Sequence, residues 1–163
     1  MGLQQVCVIQ VERLFPFQNS KLCKLPPGFL LEVNKAPSPG ELNRLLSRCK
    51  LNTYSSKKLA MALQNSFCNL SILEEKTKQL LAFVRITTDQ GLNANLWDLS
   101  ASPGKYQRQF LAVLIHHSLA IIKNQLPGCS VSVAAPPIAL NVIENEGFII
   151  DPGGIRSMSF RIR

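Results

Sequence analysis

The sequence is short of acidic residues, of aromatic residues and of long apolar runs. Its 10 Asp and Glu stand against 18 Lys and Arg, which gives a formal net charge of +8. Aromatic residues make up 7% of the chain and are not interleaved with the basic residues, which argues against a surface that stacks single-stranded nucleic acid. No apolar run approaches the roughly 18 residues of a membrane-spanning helix. We therefore expect a basic globular protein that does not cross a membrane.

Paired cysteine motifs and a targeting segment are also missing. The five cysteines are widely spaced and include no Cys-x-x-Cys pair, so we expect reduced thiols, no disulfide and no bound metal. The first residues, from Met1 to Val6, show neither the basic region of a signal peptide nor the hydroxyl residue of a myristoylation signal. These features predict a cytoplasmic protein.

The basic residues are concentrated in one stretch. Between residues 41 and 58 the only acid is Glu41, and five basic side chains lie there: Arg44, Arg48, Lys50, Lys57 and Lys58. A cluster of one sign attracts an anion, so nucleic acid, an acidic protein surface or a phosphorylated coenzyme would suit it. A solvated basic face without a partner fits the same pattern equally well.

Apolar periodicity divides the chain into an N-terminal arm or added strand, 1–27, and one domain, 28–163. Within the domain, the alternating and helical patterns predict the element order β-α-α-β-β-β-α-β-α-β-β. Short connections predict that the three middle strands form an antiparallel meander. The strand Cys129–Val133 should lie parallel to the strand that contains Trp97.

Three helices have clear sequence signals. The first begins at the capping box Ser38-Pro-Gly-Glu41, with proline at its first helical position. The second begins at Ser55 or Ser56 and points its lysines outward. The third, from about Tyr106 to Lys123, has the widest apolar stripe, so we expect it to be central and largely buried.

Several phrases of the sequence, in this order of elements, resemble one family. They are Leu81-Ala-Phe-Val-Arg85, Asn93-Ala-Asn-Leu-Trp-Asp98, Pro103, Glu146-Gly-Phe148 and Asp151-Pro-Gly-Gly-Ile-Arg156. Over residues 28–163 the chain is similar to the GNAT superfamily of coenzyme A-dependent N-acetyltransferases, in its cyanobacterial and plastid branch. The resemblance implies an α+β (α/β) fold, with a mixed, mostly antiparallel sheet flanked by helices. It also implies acetyl-CoA or CoA as cofactor and an amine or protein acceptor.

The resemblance places the coenzyme at the start of the central helix. In the family, pantetheine pairs with the preceding strand, and a Gln/Arg-x-x-Gly-x-Gly/Ala loop holds the pyrophosphate on backbone amides. The matching residues are Ser100 and Ala101 of the strand and Gln107, Arg108, Gln109, Phe110, Leu111 and Ala112 of the loop. In the family the central residue of the loop is glycine, which has no Cβ and therefore lets phosphate oxygens approach the backbone. Here that residue is Phe110. The loop is therefore predicted to be degenerate and to bind acetyl-CoA weakly, unless the Phe110 ring points into the core.

The residues expected to do the chemistry depart from the family as well. Many members carry a tyrosine four residues before the Gly-Phe pair, where it reprotonates the leaving thiolate. The matching residue here is Ile143, which supplies no proton. Asp98 remains as a candidate base, and the alternative is a structural carboxylate fixed by backbone amides or by Arg85. Trp97 is expected in the core rather than in a substrate cage.

Two functions stay open at this stage. One is a divergent N-acetyltransferase whose acetyl transfer is weak or lost. The other is a non-catalytic binding module that uses the basic stretch, or the N-terminal arm, for an anionic macromolecular partner. The fold alone cannot choose between them. The substitutions at Phe110 and Ile143 favour weak or absent transfer.

Overall fold

A computed structural model of the chain describes residues 24–149. Most of the N-terminal arm or added strand, 1–27, the phrase Asp151–Arg156 and the end of the predicted element order lie outside the described residues. Phe148 and Ile149, the last described residues, are not in a strand.

The described residues form five strands and four α-helices that follow the predicted order. They are β1 (Phe29–Val33), α1 (Pro39–Arg48), α2 (Ser56–Gln64), β2 (Cys68–Glu74), β3 (Leu80–Thr88), β4 (Asn93–Ala101), α3 (Gln107–Gln125), β5 (Ser130–Val133) and α4 (Leu140–Asn145). A 3-10 turn, Pro137–Ala139, precedes α4. In this part of the chain no helix is both long and apolar enough to cross a membrane.

The five strands form one mixed sheet in the order β1-β2-β3-β4-β5. Neighbours from β1 to β4 are antiparallel, which confirms the predicted meander. β5 is parallel to β4, with Asn93 opposite Ser130 and Leu96 opposite Val133. The chain returns from β4 to β5 through α3, so the predicted crossover is also confirmed.

Capping residues explain where α1 and α2 begin. The Glu41 amide donates to the Ser38 hydroxyl at 3.3 Å, and the Ser38 amide donates to the Glu41 carboxylate at 3.0 Å. The Ser38 hydroxyl, which donates to the Glu41 carboxylate at 2.6 Å, and then the Ser38 amide hold the pKa of Glu41 below its usual value. At α2 the Lys58 amide donates to the Ser55 hydroxyl at 3.4 Å. Both predicted helix starts are confirmed.

The two faces of the sheet are buried by different helices. On one face α3 packs on the alternating apolar residues of the meander, including Leu70, Val84 and Leu96. On the other face α1 and α2 form a smaller cluster: Leu42, Leu45, Leu46, Leu59, Leu63, Leu80 and Phe83. Because β-strand side chains alternate between faces, adjacent residues such as Phe83 and Val84 belong to opposite clusters.

The described cysteines Cys49, Cys68 and Cys129 are free thiols. Burial raises the pKa of the Cys68 thiol to about 11. It also raises the pKa of Cys49, whose sulfur donates to the Ala101 carbonyl. Thiols with raised pKa values are poor nucleophiles at neutral pH.

Candidate functional site

β4 and β5 separate halfway along β4. Their pairing ends at Leu96 and Val133, and the Ala134 amide makes the last link by donating to the Leu96 carbonyl at 3.2 Å. β4 continues to Ala101, so its edge beyond Leu96 has no neighbouring strand on the β5 side within residues 24–149. An open strand edge of this kind offers backbone groups with which an extended ligand can pair.

A bulge in β4 lies at the start of this open edge. Trp97 is opposite Arg85 and Ser100 is opposite Phe83, so two β4 residues, one of them Asp98, stand against Val84 alone. Asp98 has a φ of 55°. A left-handed conformation costs a non-glycine residue about 1–3 kcal/mol, and such strain collects at functional sites. Because bulges re-aim side chains, the strain is explained by where the Asp98 carboxylate points.

The Asp98 carboxylate is held by two side chains on the α1–α2 side of the sheet. The Arg85 Nε donates to its Oδ2 at 2.5 Å, and the Tyr54 hydroxyl donates to its Oδ1 at 3.4 Å. The Arg85 and Asp98 side chains are only 18% and 7% exposed. The geometry matches the structural role that the sequence left open for Asp98. It also places Tyr54 beside Asp98, a contact that no sequence pattern predicted.

Trp97 lies at the surface, so its predicted place in the core is wrong. It is 41% exposed, and its indole Nε1 donates to the Thr87 hydroxyl at 2.9 Å. The guanidinium of Arg85 lies 5.9 Å from the ring centre. The physical reason is that the helices on this face pack on Leu80 and Phe83, further along the sheet.

The first turn of α3 has two open backbone amides. The Gln107 amide donates to the Gly104 carbonyl at 3.2 Å, and the Phe110 amide donates to the Tyr106 carbonyl at 2.8 Å. The amides of Arg108 and Gln109 have no acceptor in the described part of the chain, and the N-cap Tyr106 supplies none. Open amides at a helix N-terminus, together with the helix dipole, favour an anion.

The Phe110 ring points into the core. It is 4% exposed and packs edge-on against Phe29, with a distance of 4.9 Å between ring centres. The Tyr106 ring lies on the same side, and its centre is 6.0 Å from the centre of the Phe110 ring. Of the two orientations left open by the sequence, the structure has the inward one. This orientation removes the steric reason for expecting weak coenzyme binding.

Other residues of the predicted coenzyme loop hold the loop itself. The Gln107 side chain donates to the Ala101 carbonyl at 2.9 Å, which closes the turn from β4 to α3. The Gln109 side chain donates to the Lys24 carbonyl at 2.7 Å. Arg108 is exposed, and so is Lys105, whose ammonium lies 5.2 Å from the Tyr106 ring centre. The two cations are therefore available to an anion near the open amides.

The remaining predicted coenzyme residues are buried. Leu111 and Ala112 are part of the α3 side of the protein, at 0% and 3% exposure, so their side chains do not reach a ligand on the surface. Ala101 is equally buried. Ser100, which follows Asp98 by two positions, is also buried, and its hydroxyl has no hydrogen-bond partner in the structure as described. A buried hydroxyl without a partner costs stability, and at this depth it does not reach a ligand on the surface.

Of the five residues predicted to form a basic face, one points into the protein. Arg48 is half-buried, and its guanidinium donates inward to the Leu80 carbonyl at 2.5 Å and to the Ser102 hydroxyl at 3.2 Å. It therefore ties α1 to the ends of β3 and β4. The other four are exposed and form no ion pair with a described carboxylate: Arg44, Lys50, Lys57 and Lys58.

α4 carries no proton donor where the family's tyrosine was expected. Ile143 is 5% exposed and packs in the core. Near it, the His116 Nδ1 of α3 lies 3.7 Å from the Glu146 carboxylate, just after α4. Burial, and then the neighbouring His116, lowers the pKa of His117. Among residues 24–149, no three His, Cys, Asp or Glu side chains come close enough to hold a metal ion.

Sequence and structure are both similar to proteins that are named as acetyltransferases, although no protein-family model matches the chain. It is 30% identical over 130 residues to the uncharacterized N-acetyltransferase ycf52 of Pyropia yezoensis, across 78% of this chain and 74% of the relative. It is 30% identical over 135 residues to the chloroplastic GCN5-related N-acetyltransferase 1 of Arabidopsis thaliana, across 82% of this chain and 68% of the relative. The solved structure of SA2161 from Staphylococcus aureus, described as a probable acetyltransferase, matches with a TM-score of 0.72 at 17% identity. That match covers 82% of this chain and 100% of SA2161.

The two kinds of likeness establish different things. The match to SA2161, at low identity, establishes the fold, with its mixed sheet between two layers of helices. Each of the two alignments covers more than two thirds of the relative's length, and both relatives are named as N-acetyltransferases. The chain therefore belongs to the GNAT superfamily of N-acetyltransferases, in its plastid-type branch.

Proposed function

We propose that the chain is an N-acetyltransferase that moves an acetyl group from acetyl-CoA to a primary amine. The observation that carries this proposal is the continuity of the open β4 edge, Trp97–Ala101, with the two open amides of α3. An extended pantetheine arm can pair with the strand edge. The pyrophosphate then reaches the amides of Arg108 and Gln109, where the helix dipole favours negative charge.

The side chains along this path fit acetyl-CoA. The exposed cations Lys105 and Arg108 flank the open amides, and the first turn of α3 contains no acid. When bound, acetyl-CoA supplies an activated thioester. The chain has to hold that group, orient the amine and move protons.

The rate of transfer is proposed to be low for this family. Ile143 provides no acid on α4, and general acid–base catalysis typically contributes about 10²–10⁴-fold. We infer that Asp98 orients neighbouring groups in the site, because Arg85 already pairs with it. With the Phe110 ring inside the core, coenzyme binding is not expected to limit transfer, and the reaction needs a proton donor other than α4.

A second candidate is a non-catalytic module that binds an acidic macromolecule. The observation in its favour is that Lys57 and Lys58 occupy the first turn of α2 with no acid beside them. A cation at a helix N-terminus opposes the helix dipole by about 0.3–1 kcal/mol. An anionic partner would reverse that penalty, and the exposed Arg44 and Lys50 would add to its attraction.

The compartment is part of the proposal. The sequence predicts a cytoplasmic protein, whereas the Arabidopsis relative is named as chloroplastic. We infer a plastid, or a cytosol of the cyanobacterial kind. Both are compatible with free Cys49, Cys68 and Cys129. Fractionation of source cells with an antibody against the chain distinguishes these locations.

Calorimetric titration with coenzyme A and acetyl-CoA tests the proposed function. Arg108→Glu should weaken binding about tenfold or more, because each charge-assisted hydrogen bond is worth about 1.5–3 kcal/mol. The matched control is Lys76→Glu, the same charge change in the exposed turn between β2 and β3. Thiol release in the presence of primary amines then measures transfer. A wild type that neither binds the coenzyme nor releases thiol would contradict the proposal.

A further inference from the structure

Tyr54, in the loop between α1 and α2, has a firmly held backbone. The Asn43 Nδ2 of α1 donates to the Tyr54 carbonyl at 2.8 Å, and the Tyr54 amide donates to the Asn43 Oδ1 at 3.0 Å. α1 is in turn anchored in the core by its buried leucines, Leu42, Leu45 and Leu46. Two hydrogen bonds therefore fix one residue of an exposed loop relative to a buried helix.

The Tyr54 side chain spans from this loop to the bulge of β4. Its hydroxyl lies 3.4 Å from the Asp98 Oδ1, while Arg85 occupies the other carboxylate oxygen. Tyr54 is 45% exposed, so the phenol stands between solvent and the strained residue of the bulge. This is the position at which the open edge of β4 begins.

The proposed reaction needs a proton donor at this end of the strand edge. As the amine nitrogen bonds to the acetyl carbon, the carbon–sulfur bond breaks, the nitrogen loses a proton and the sulfur gains one. Ile143 on α4 carries no exchangeable proton. A phenol can give its proton to the sulfur and recover the proton that the nitrogen releases, so it is unchanged after each turnover.

We propose that Tyr54 is a catalytic residue of acetyl transfer, and that it protonates the leaving sulfur from the α1–α2 loop instead of from α4. The proposal rests on the proposed function of the same site. Two positioning residues support it. Asp98 orients the hydroxyl through its Oδ1, and Asn43 orients the backbone through its side-chain amide.

Steady-state acetyl transfer by the full chain tests this role. The probes are acetyl-CoA with spermidine, a lysine peptide and a peptide with a free α-amino group. Tyr54→Phe keeps the ring and removes only the hydroxyl, so kcat should fall by about two orders of magnitude. The KM for acetyl-CoA and the calorimetric affinity should not change.

Variants of Asn43 test the clamp. Asn43→Ala removes both hydrogen bonds to the Tyr54 backbone and should lower kcat by about tenfold, because misplaced catalytic groups lose rate. Asn43→Asp keeps the acceptor for the Tyr54 amide and should recover part of the loss. The matched control is Asn65→Ala at the far end of α2, where the Asn65 Nδ2 donates to the Met61 carbonyl at 2.7 Å. Its kcat should equal that of the wild type.

The outcomes separate this inference from the proposed function. A wild type that transfers acetyl groups, with a Tyr54→Phe variant within about twofold of it in kcat, overturns the role of Tyr54 and leaves the acetyltransferase standing. A wild type that binds acetyl-CoA but acetylates none of the probes overturns both. A hundredfold loss confined to kcat supports the proposal.

Discussion

The two faces of the sheet differ in what holds them to their helices. The α3 face is almost wholly apolar, with side chains such as Leu96, Phe110 and Leu114 buried in one cluster. The α1–α2 face has a smaller apolar cluster and adds polar ties, among them the inward guanidinium of Arg48 and the Arg85–Asp98 pair. One face therefore supplies stability, whereas the other places polar groups beside the open edge of β4.

The largest expected effect is on the apolar face, at Phe110. Phe110→Gly should cost about 3–5 kcal/mol for the lost ring and about 1 kcal/mol more for glycine in a helix, as measured by denaturant unfolding. Coenzyme affinity should not rise, because the ring already points away from the open amides.

Phe110→Leu serves as the milder partner variant if the glycine variant is unfolded. It should fold, and it should bind coenzyme A as tightly as the wild type. Tighter binding by either variant would show that the Phe110 ring obstructs the coenzyme. The α3 face would then affect coenzyme binding as well as stability.

The next effect concerns the buried ion pair on the polar face. Asp98→Asn leaves the Arg85 charge without its partner, and breaking a buried pair in this way costs about 3–5 kcal/mol. If Asp98 also takes part in catalysis, acetyl transfer per folded molecule should fall by about two orders of magnitude.

The double variant Arg85→Met with Asp98→Asn should recover much of the lost stability, because no buried charge then stays unpaired. Thermal unfolding and thiol release are measured on the same samples. A lower melting temperature with unchanged transfer per folded molecule would make Asp98 a structural residue only.

A smaller effect is expected on the exposed basic residues. Arg44→Glu combined with Lys57→Glu should leave the fold intact and raise the free energy of unfolding by about 1 kcal/mol, because an acid replaces a cation in the first turn of α2. If these side chains bind an acidic partner, the double reversal should abolish association, and raised salt should weaken it in the wild type. Pull-down from an extract at two salt concentrations measures both. Identical partner sets for the two proteins would remove the binding-module function.

The smallest effect is a pH dependence on the α3 face. Burial lowers the pKa of His117 from its ordinary 6.5, so the unfolded chain binds this proton more readily than the folded one. The contribution is therefore fully present above about pH 6.5 and is lost as the pH falls below it.

His117→Gln isolates the His117 contribution. Denaturant unfolding of wild type and variant between pH 7.5 and pH 5, about the range in which histidine titrates, should show a shallower fall in the variant. Equal slopes would assign the pH dependence to other groups.

The fold was predictable because its signals are local. The capping box at Ser38, the N-cap at Ser55 and the apolar stripe of α3 each lie within a few residues, and the structure has each element where the pattern indicates. Short connections likewise predicted the antiparallel meander. Trp97 was predicted wrongly because its environment depends on how far α1 and α2 extend over the sheet, which no local pattern states.

The element order over the described residues, the meander, the parallel pairing of β4 with β5 and the likeness to the GNAT superfamily were predictable, since these follow from periodicity, turn residues and short phrases. Only the tertiary structure decided that Phe110 points inward, that Arg48 is a tie and not part of the basic face, and that Tyr54 meets Asp98. Each of these depends on residues distant in the chain. Tyr54 and Asp98 are 44 positions apart, and the packing of α1 on the sheet brings them together.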